Sequence, residues 1–132
     1  MERTLVNPWT WQDQYGFSQG IEVSGAERVL FCAGQTSSDA DGHVEHAGDM
    51  AAQAGTALDN LEAVLREAGM GLENIVRLNH YTTDVDRYLS EAWPTIAQRL
   101  GAAGVQPAAT LLGVARLAFP DLLLEIEATA VA

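Results

Sequence analysis

Two short apolar runs at the end of the chain constrain its fold more than any other feature. They cover residues 108–114 and 122–131, are rich in leucine, valine and alanine, and are separated by a turn. Both read as strands. The second carries Glu125 and Glu127 among Leu124, Ile126 and Ala128. Side chains alternate along a strand, so the two acids share one face, roughly 7 Å apart. An otherwise apolar strand tolerates that only where the face is wet, paired or functional.

The rest of the chain supplies the partners these strands need. Residues 1–14, with Pro8, Trp9 and Trp11, read as an irregular arm. Residues 15–23 and 28–34 read as two strands joined as a hairpin near Ser24 and Gly25. A polar loop follows over residues 37–49, with Asp41-Gly42 as its turn signal. Residues 50–68 form the clearest helix, because Ala54, Ala57, Leu58, Leu61, Val64 and Leu65 fall at three- and four-residue intervals. Asp49 can cap its start and Gly69 can end it, and Glu62 and Arg66 are spaced to pair on its solvent side. Residues 74–83 read as a strand. Residues 86–102 read as a second helix that Pro94 must kink, or break so that the proline becomes an early helical position. The order β-β-α-β-α-β-β predicts one α+β domain over residues 1–132, with its helices on one face of a mixed sheet. The tail strands read as apolar on both faces apart from the two glutamates, so the second sheet face needs a cover of its own.

Charge narrows the function. The 132 residues carry a formal net charge of −11, and every cation is an arginine. An acidic surface repels phosphate backbones, so nucleic acid is not an expected partner. No apolar stretch is long enough to span a membrane, and the N-terminus lacks a signal-peptide core. The single cysteine, Cys32, rules out an internal disulfide and reads as a small buried hydrophobe. A cytoplasmic location is the expectation. The acidic loop around Asp39, Asp41, His43 and His46 meets neither calcium nor zinc spacing, so no metal is expected. No dinucleotide or phosphate-loop motif is present, and no cofactor is expected.

Several segments, in order and at matching separations over residues 14–131, resemble the reactive-intermediate deaminase (RidA/YjgF, endoribonuclease L-PSP) family. They are Phe17-Ser18-Gln19, Ala33-Gly34-Gln35, Ala57-Leu58-Asp59-Asn60-Leu61, residues 76–84, Pro107-Ala108 with Val114-Ala115-Arg116-Leu117, and Glu125-Ile126-Glu127-Ala128. The resemblance implies a YjgF-like (chorismate mutase-like) fold and a homotrimer with a barrel-like sheet core. It also implies small-ligand clefts between subunits. Glu125 matches the glutamate that positions or activates water. Phe17, Gly34, Gln35, Ala92, Ala109 and Leu111 match ligand-binding positions.

The departures are as informative. The family's arginine, a two-pronged binder of substrate carboxylate, falls on Ala109 here. Phe17 replaces a tyrosine, and Ala92 occupies a position where many members have asparagine. Leu111 adds to a more apolar cleft. Losing a buried charged contact of this kind costs about 2–5 kcal/mol in binding, so 2-imino acids are not expected substrates. Trp9, Trp11 and Trp93 either line that cleft with Phe17 or anchor the N-terminal arm. His80 reads as a hydrogen-bonded core histidine. Three functions remain open: an imine or enamine deaminase acting on a ligand without the carboxylate, a non-catalytic ligand-binding or chaperone-like trimer, and, least favoured by charge, a ribonuclease.

Overall fold

A computed structural model describes the whole chain, Met1–Ala132. Six strands and the helices between them run β1 (Glu2–Val6), β2 (Gly20–Ser24), β3 (Val29–Phe31), α1 (Met50–Glu67), β4 (Ile75–Thr82), α2 (Val85–Arg87), a π-helical turn (Tyr88–Ala92), α3 (Trp93–Ala102), β5 (Ala108–Gly113) and β6 (Leu124–Val131). The main sheet has the order β3-β6-β4-β5, and β1 and β2 form a separate two-stranded ribbon. β4 and β5 are parallel, whereas β6 runs antiparallel to β4 and β3. A parallel pair cannot be joined by a tight turn; α2, the π-helical turn and α3 make the crossover.

Alternation along β4 and β6 decides which face is dry. Leu78, His80 and Thr82 of β4 are buried, as are Leu124, Ile126, Ala128 and Ala130 of β6. These side chains meet the apolar stripe of α1, where Ala54, Ala57, Leu58, Leu61 and Leu65 are fully buried, and Ile96 of α3. Each such leucine or isoleucine taken from water contributes about 1.5–3 kcal/mol, so both helices are held to this one face. Asp49 caps α1 by accepting from the Ala52 amide at 3.0 Å. Gly69, at φ 72°, reverses the chain after it. Before Pro94 the helical winding changes from π to α without a break, and the proline enters as an early residue of α3, where its missing N–H is harmless. No helix is long and apolar enough to cross a membrane.

Four expectations are corrected. Residues 2–6 are a strand, paired with β2 from Glu2↔Ser24 to Val6↔Gly20. All five of its residues are exposed, so no apolar alternation marked it. The hairpin between the second and third strands does not form. Instead β3 pairs with β6, and the amides of Glu27 and Arg28 donate to the Ala132 carbonyl, carrying the chain from the ribbon to the sheet. Glu62 does not pair with Arg66. Arg99 reaches across from α3 to Glu62 at 2.6 Å and Asp59 at 2.8 Å. Finally, the open sheet face is not apolar throughout: Arg77, Asn79 and Tyr81 stand beside Glu125, Glu127 and Thr129. The acids are thus part of a polar stripe rather than two exceptions on a dry face.

Candidate functional site

Two groups of site residues lie on opposite faces of the sheet. Register sets this: His80 is opposite Leu111 on one side and Ile126 on the other, while Tyr81 is opposite Leu112 and Glu125. His80, Ala109 and Leu111 therefore share the helix-covered face, and Tyr81 and Glu125 the open one.

At the β5 edge of the covered face is a cavity of about 250 Å³ lined by Tyr15, Phe17, His80, Leu89, Trp93, Ala109 and Leu111. Ser18 anchors the segment bearing Phe17 to this edge, its amide donating to the Pro107 carbonyl at 3.2 Å and its hydroxyl to that of Gln106 at 2.7 Å. Of the expected residues, Phe17, Ala109, Leu111 and Trp93 come together here. Ala92 does not line the cavity; it is fully buried in the core. Trp9 and Trp11 are exposed, and Trp11 instead packs edge-on against Tyr15 and Phe17 at 6.4 and 5.8 Å. The arginines named by spacing are elsewhere. Arg77 bonds the Thr110 hydroxyl at 2.6 Å on the other face, and Arg116 bonds the carbonyls of its own loop. No lining residue is a permanent cation.

Sequence reasoning missed Tyr15, His80 and Leu89 as lining residues. Nothing in the spacing placed them, although π-helical winding is often found at functional sites, and Leu89 sits in that turn. His80 is hydrogen-bonded to the Tyr88 hydroxyl, as a core histidine should be. Burial lowers its pKa from 6.5 to about 4, so it is neutral at pH 7. Burial likewise raises the Tyr88 hydroxyl above its ordinary value.

The second group is built around Glu125. The amide of Gln35 donates to the Ile126 carbonyl at 2.6 Å and that of Ile126 returns to Gln35 at 3.0 Å, which brings Gly34 against Glu125. A Cβ at Gly34 would stand 2.6 Å from the Glu125 carboxyl carbon, so a larger residue there would push the Glu125 side chain out of this position. Burial, then the neighbouring Glu127 charge, raises the Glu125 pKa. Glu127 shifts the other way because Tyr81 and Asn79 donate to it. The environments of these neighbouring acids therefore push them apart, Glu127 toward its ionised form and Glu125 toward its protonated one. The loop acids are ordinary turn chemistry: Asp39 accepts from the amides of Asp41 and His43, each at 2.9 Å. Asp39, Asp41 and His43 cluster closely, but all three are exposed.

Comparison with known proteins places this architecture. The endoribonuclease L-PSP family matches residues 12–132. The chain belongs to the RidA/YjgF family. A RutC family protein of Synechocystis sp., slr0709, is 34% identical over 116 residues, covering 87% of this chain and 85% of that one. The Rid family protein YyfB of Yersinia pestis, a protein of unknown function, has a solved structure with a TM-score of 0.83 at 36% identity, each chain covered in full. E. coli TdcF, solved with bound serine, gives a TM-score of 0.71 at 27% identity, covering 88% of this chain and 87% of that one. The α+β fold of the RidA/YjgF proteins is therefore the fold of this chain.

The buried histidine makes stability depend on pH. Its folded pKa is depressed, so between pH 6.5 and about 4 the unfolded chain takes up a proton that the folded chain refuses, and stability falls as pH falls. At about 1.4 kcal/mol per pKa unit, the loss across the window is on the order of 3 kcal/mol. Urea unfolding of the wild type and of His80→Gln at pH 7 and pH 5 isolates this component, because the carboxylates titrate in both. The wild type should lose more stability than the variant; equal losses would show that His80 is not buried neutral.

Proposed function

We propose that this RidA/YjgF-family protein handles a small, uncharged imine or enamine, in a cleft that neighbouring copies complete in a homotrimer. The observation that carries this reading is the cavity at Ala109. It is walled by Tyr15, Phe17, Leu89, Trp93 and Leu111 and contains no guanidinium or ammonium group. An amino acid such as the serine bound by TdcF carries a carboxylate. A carboxylate in this cavity would lose its water without gaining a partner, which is costly. A neutral ligand incurs no such cost.

Hydrolysis is the chemistry that fits the acids. Water adds its oxygen to the imine carbon, the nitrogen takes up protons, and the carbon–nitrogen bond breaks to leave a carbonyl compound and an amine or ammonia. Glu125 is the group suited to take a proton from the water and return it to the leaving nitrogen. It lies on the opposite sheet face from the cavity of its own subunit, so it meets a ligand there only when the Glu125 of another copy closes the cleft. The open face also carries Phe31, 79% exposed, and Leu112, 50% exposed, which supports its burial against another copy. Binding without turnover is the second reading, favoured by the absence of any acid among the cavity residues of one subunit. Ribonuclease activity is disfavoured by the net charge of −11.

Light scattering in neutral buffer at micromolar concentration should give a mass near three chains; a well-behaved monomer would contradict the shared cleft. Freshly generated 2-iminopropanoate should be hydrolysed little or not at all by the wild type. Ala109→Arg should gain measurable release of the 2-oxo acid. Uncharged imines should be hydrolysed by the wild type, and Glu125→Gln should lower kcat by about 10²–10⁴-fold. Rapid wild-type turnover of the 2-imino acid that survives Arg77→Ala and Arg116→Ala would overturn the reading of position 109. Inertness toward every imine would leave the binding role.

A further inference from the structure

The cavity is apolar but not featureless, because His80 forms part of its wall. The ring is 3% exposed and is held edge-to-face by Tyr88 and Trp93, at centroid separations of 5.7 and 5.5 Å. Its Nδ1 is bonded to the Tyr88 hydroxyl, and that hydroxyl has no other protein partner. A buried hydroxyl proton without an acceptor is costly, so Tyr88 donates and Nδ1 accepts. A neutral imidazole that accepts at Nδ1 carries its proton on Nε2. Burial keeps the ring neutral, with a pKa of about 4. No protein group bonds Nε2, and the one buried side-chain atom without a partner is Asn79 Oδ1. Nε2 therefore opens onto the cavity that His80 lines. The site thus presents a fixed N–H donor among aromatic and aliphatic walls.

We infer that the cavity takes an uncharged, ring-sized ligand whose carbonyl oxygen or imine nitrogen accepts a hydrogen bond from His80 Nε2–H, with Tyr88 as the residue that fixes the tautomer. This rests on the reading of the cleft as one without a carboxylate contact. Size agrees: an apolar cavity of about 150 Å³ holds benzene, so about 250 Å³ holds a ring with one substituent. The rings of Tyr15, Phe17 and Trp93 supply faces and edges for it. Tyr88 is a positioning residue, since it touches the ligand only through His80.

Three probes of similar shape test this on the assembled protein at pH 7. Acetophenone carries the acceptor, α-methylstyrene replaces the carbonyl by a carbon–carbon double bond, and benzoate carries a charge. Calorimetric titration should show acetophenone binding about tenfold tighter than α-methylstyrene, with benzoate weakest. His80→Leu should remove the difference between the first two and leave α-methylstyrene binding in place. Long-range proton–nitrogen spectra should show His80 protonated at Nε2, and Tyr88→Phe should release that preference. Equal affinity for acetophenone and α-methylstyrene, no binding of either, or a proton on Nδ1 in the wild type would overturn the inference. Tightest binding of benzoate would instead overturn the reading of the cleft on which it rests.

Discussion

The pairing of β6 with β4 is the interaction on which the rest of the structure depends. Register between these strands puts Leu78 beside Ala128 and His80 beside Ile126, and sends Tyr81, Glu125, Asn79 and Glu127 to the other face. A slip of one residue in β6 would drive two carboxylates into the helix layer and expose Leu124 and Ile126, which belong to the core. The dry face fixes the helices, the helices fix the crossover to β5, and β5 brings Ala109 and Leu111 to the edge where the cavity opens. The same alternation that builds the core therefore separates the apolar cavity from the acids.

That separation is what the proposal of a site shared between copies rests on. Within one chain the cavity has walls and a hydrogen-bonding histidine but no carboxylate, while Glu125 and Glu127 stand on the open face, away from it. The two halves have different electrostatic character. The cavity keeps His80 uncharged by burial. The open face holds Glu127 ionised through donated hydrogen bonds and raises Glu125 beside it. Such an arrangement suits chemistry in which a neutral ligand is gripped by shape on one side and meets a proton donor or acceptor on the other.

Much of this was legible in the sequence. The α1 stripe, the early helical position of Pro94, the strand 75–82 and the two tail strands each carry a strong periodic or steric signal, and all appear where that signal put them. The misses share a different cause. β1 is exposed on every residue, so its pairing with β2 leaves no hydrophobic trace. Turn chemistry at Ser24-Gly25 fits a hairpin equally well, and only competition for β6 directs β3 away. Glu62 has an arginine at the right helical spacing, yet Arg99 arrives from another helix with a better geometry. At the site, Phe17, Ala109 and Leu111 were identified by resemblance and do converge, and Gly34 meets Glu125. Tyr15, His80 and Leu89 were not identified, because tertiary packing rather than local pattern brings them to the cavity. Ala92 shares a helical stretch with Leu89 but turns into the core.

Xenon tests the central claim most directly, since it enters cavities that are apolar and dry and has no affinity for charged ones. A crystal structure of the assembled protein under xenon pressure should show the gas between Phe17, Trp93, Ala109 and Leu111, with no cationic side chain from any copy in contact with it. A guanidinium group of a neighbouring copy, or a bound anion, filling that space in place of xenon would contradict the account.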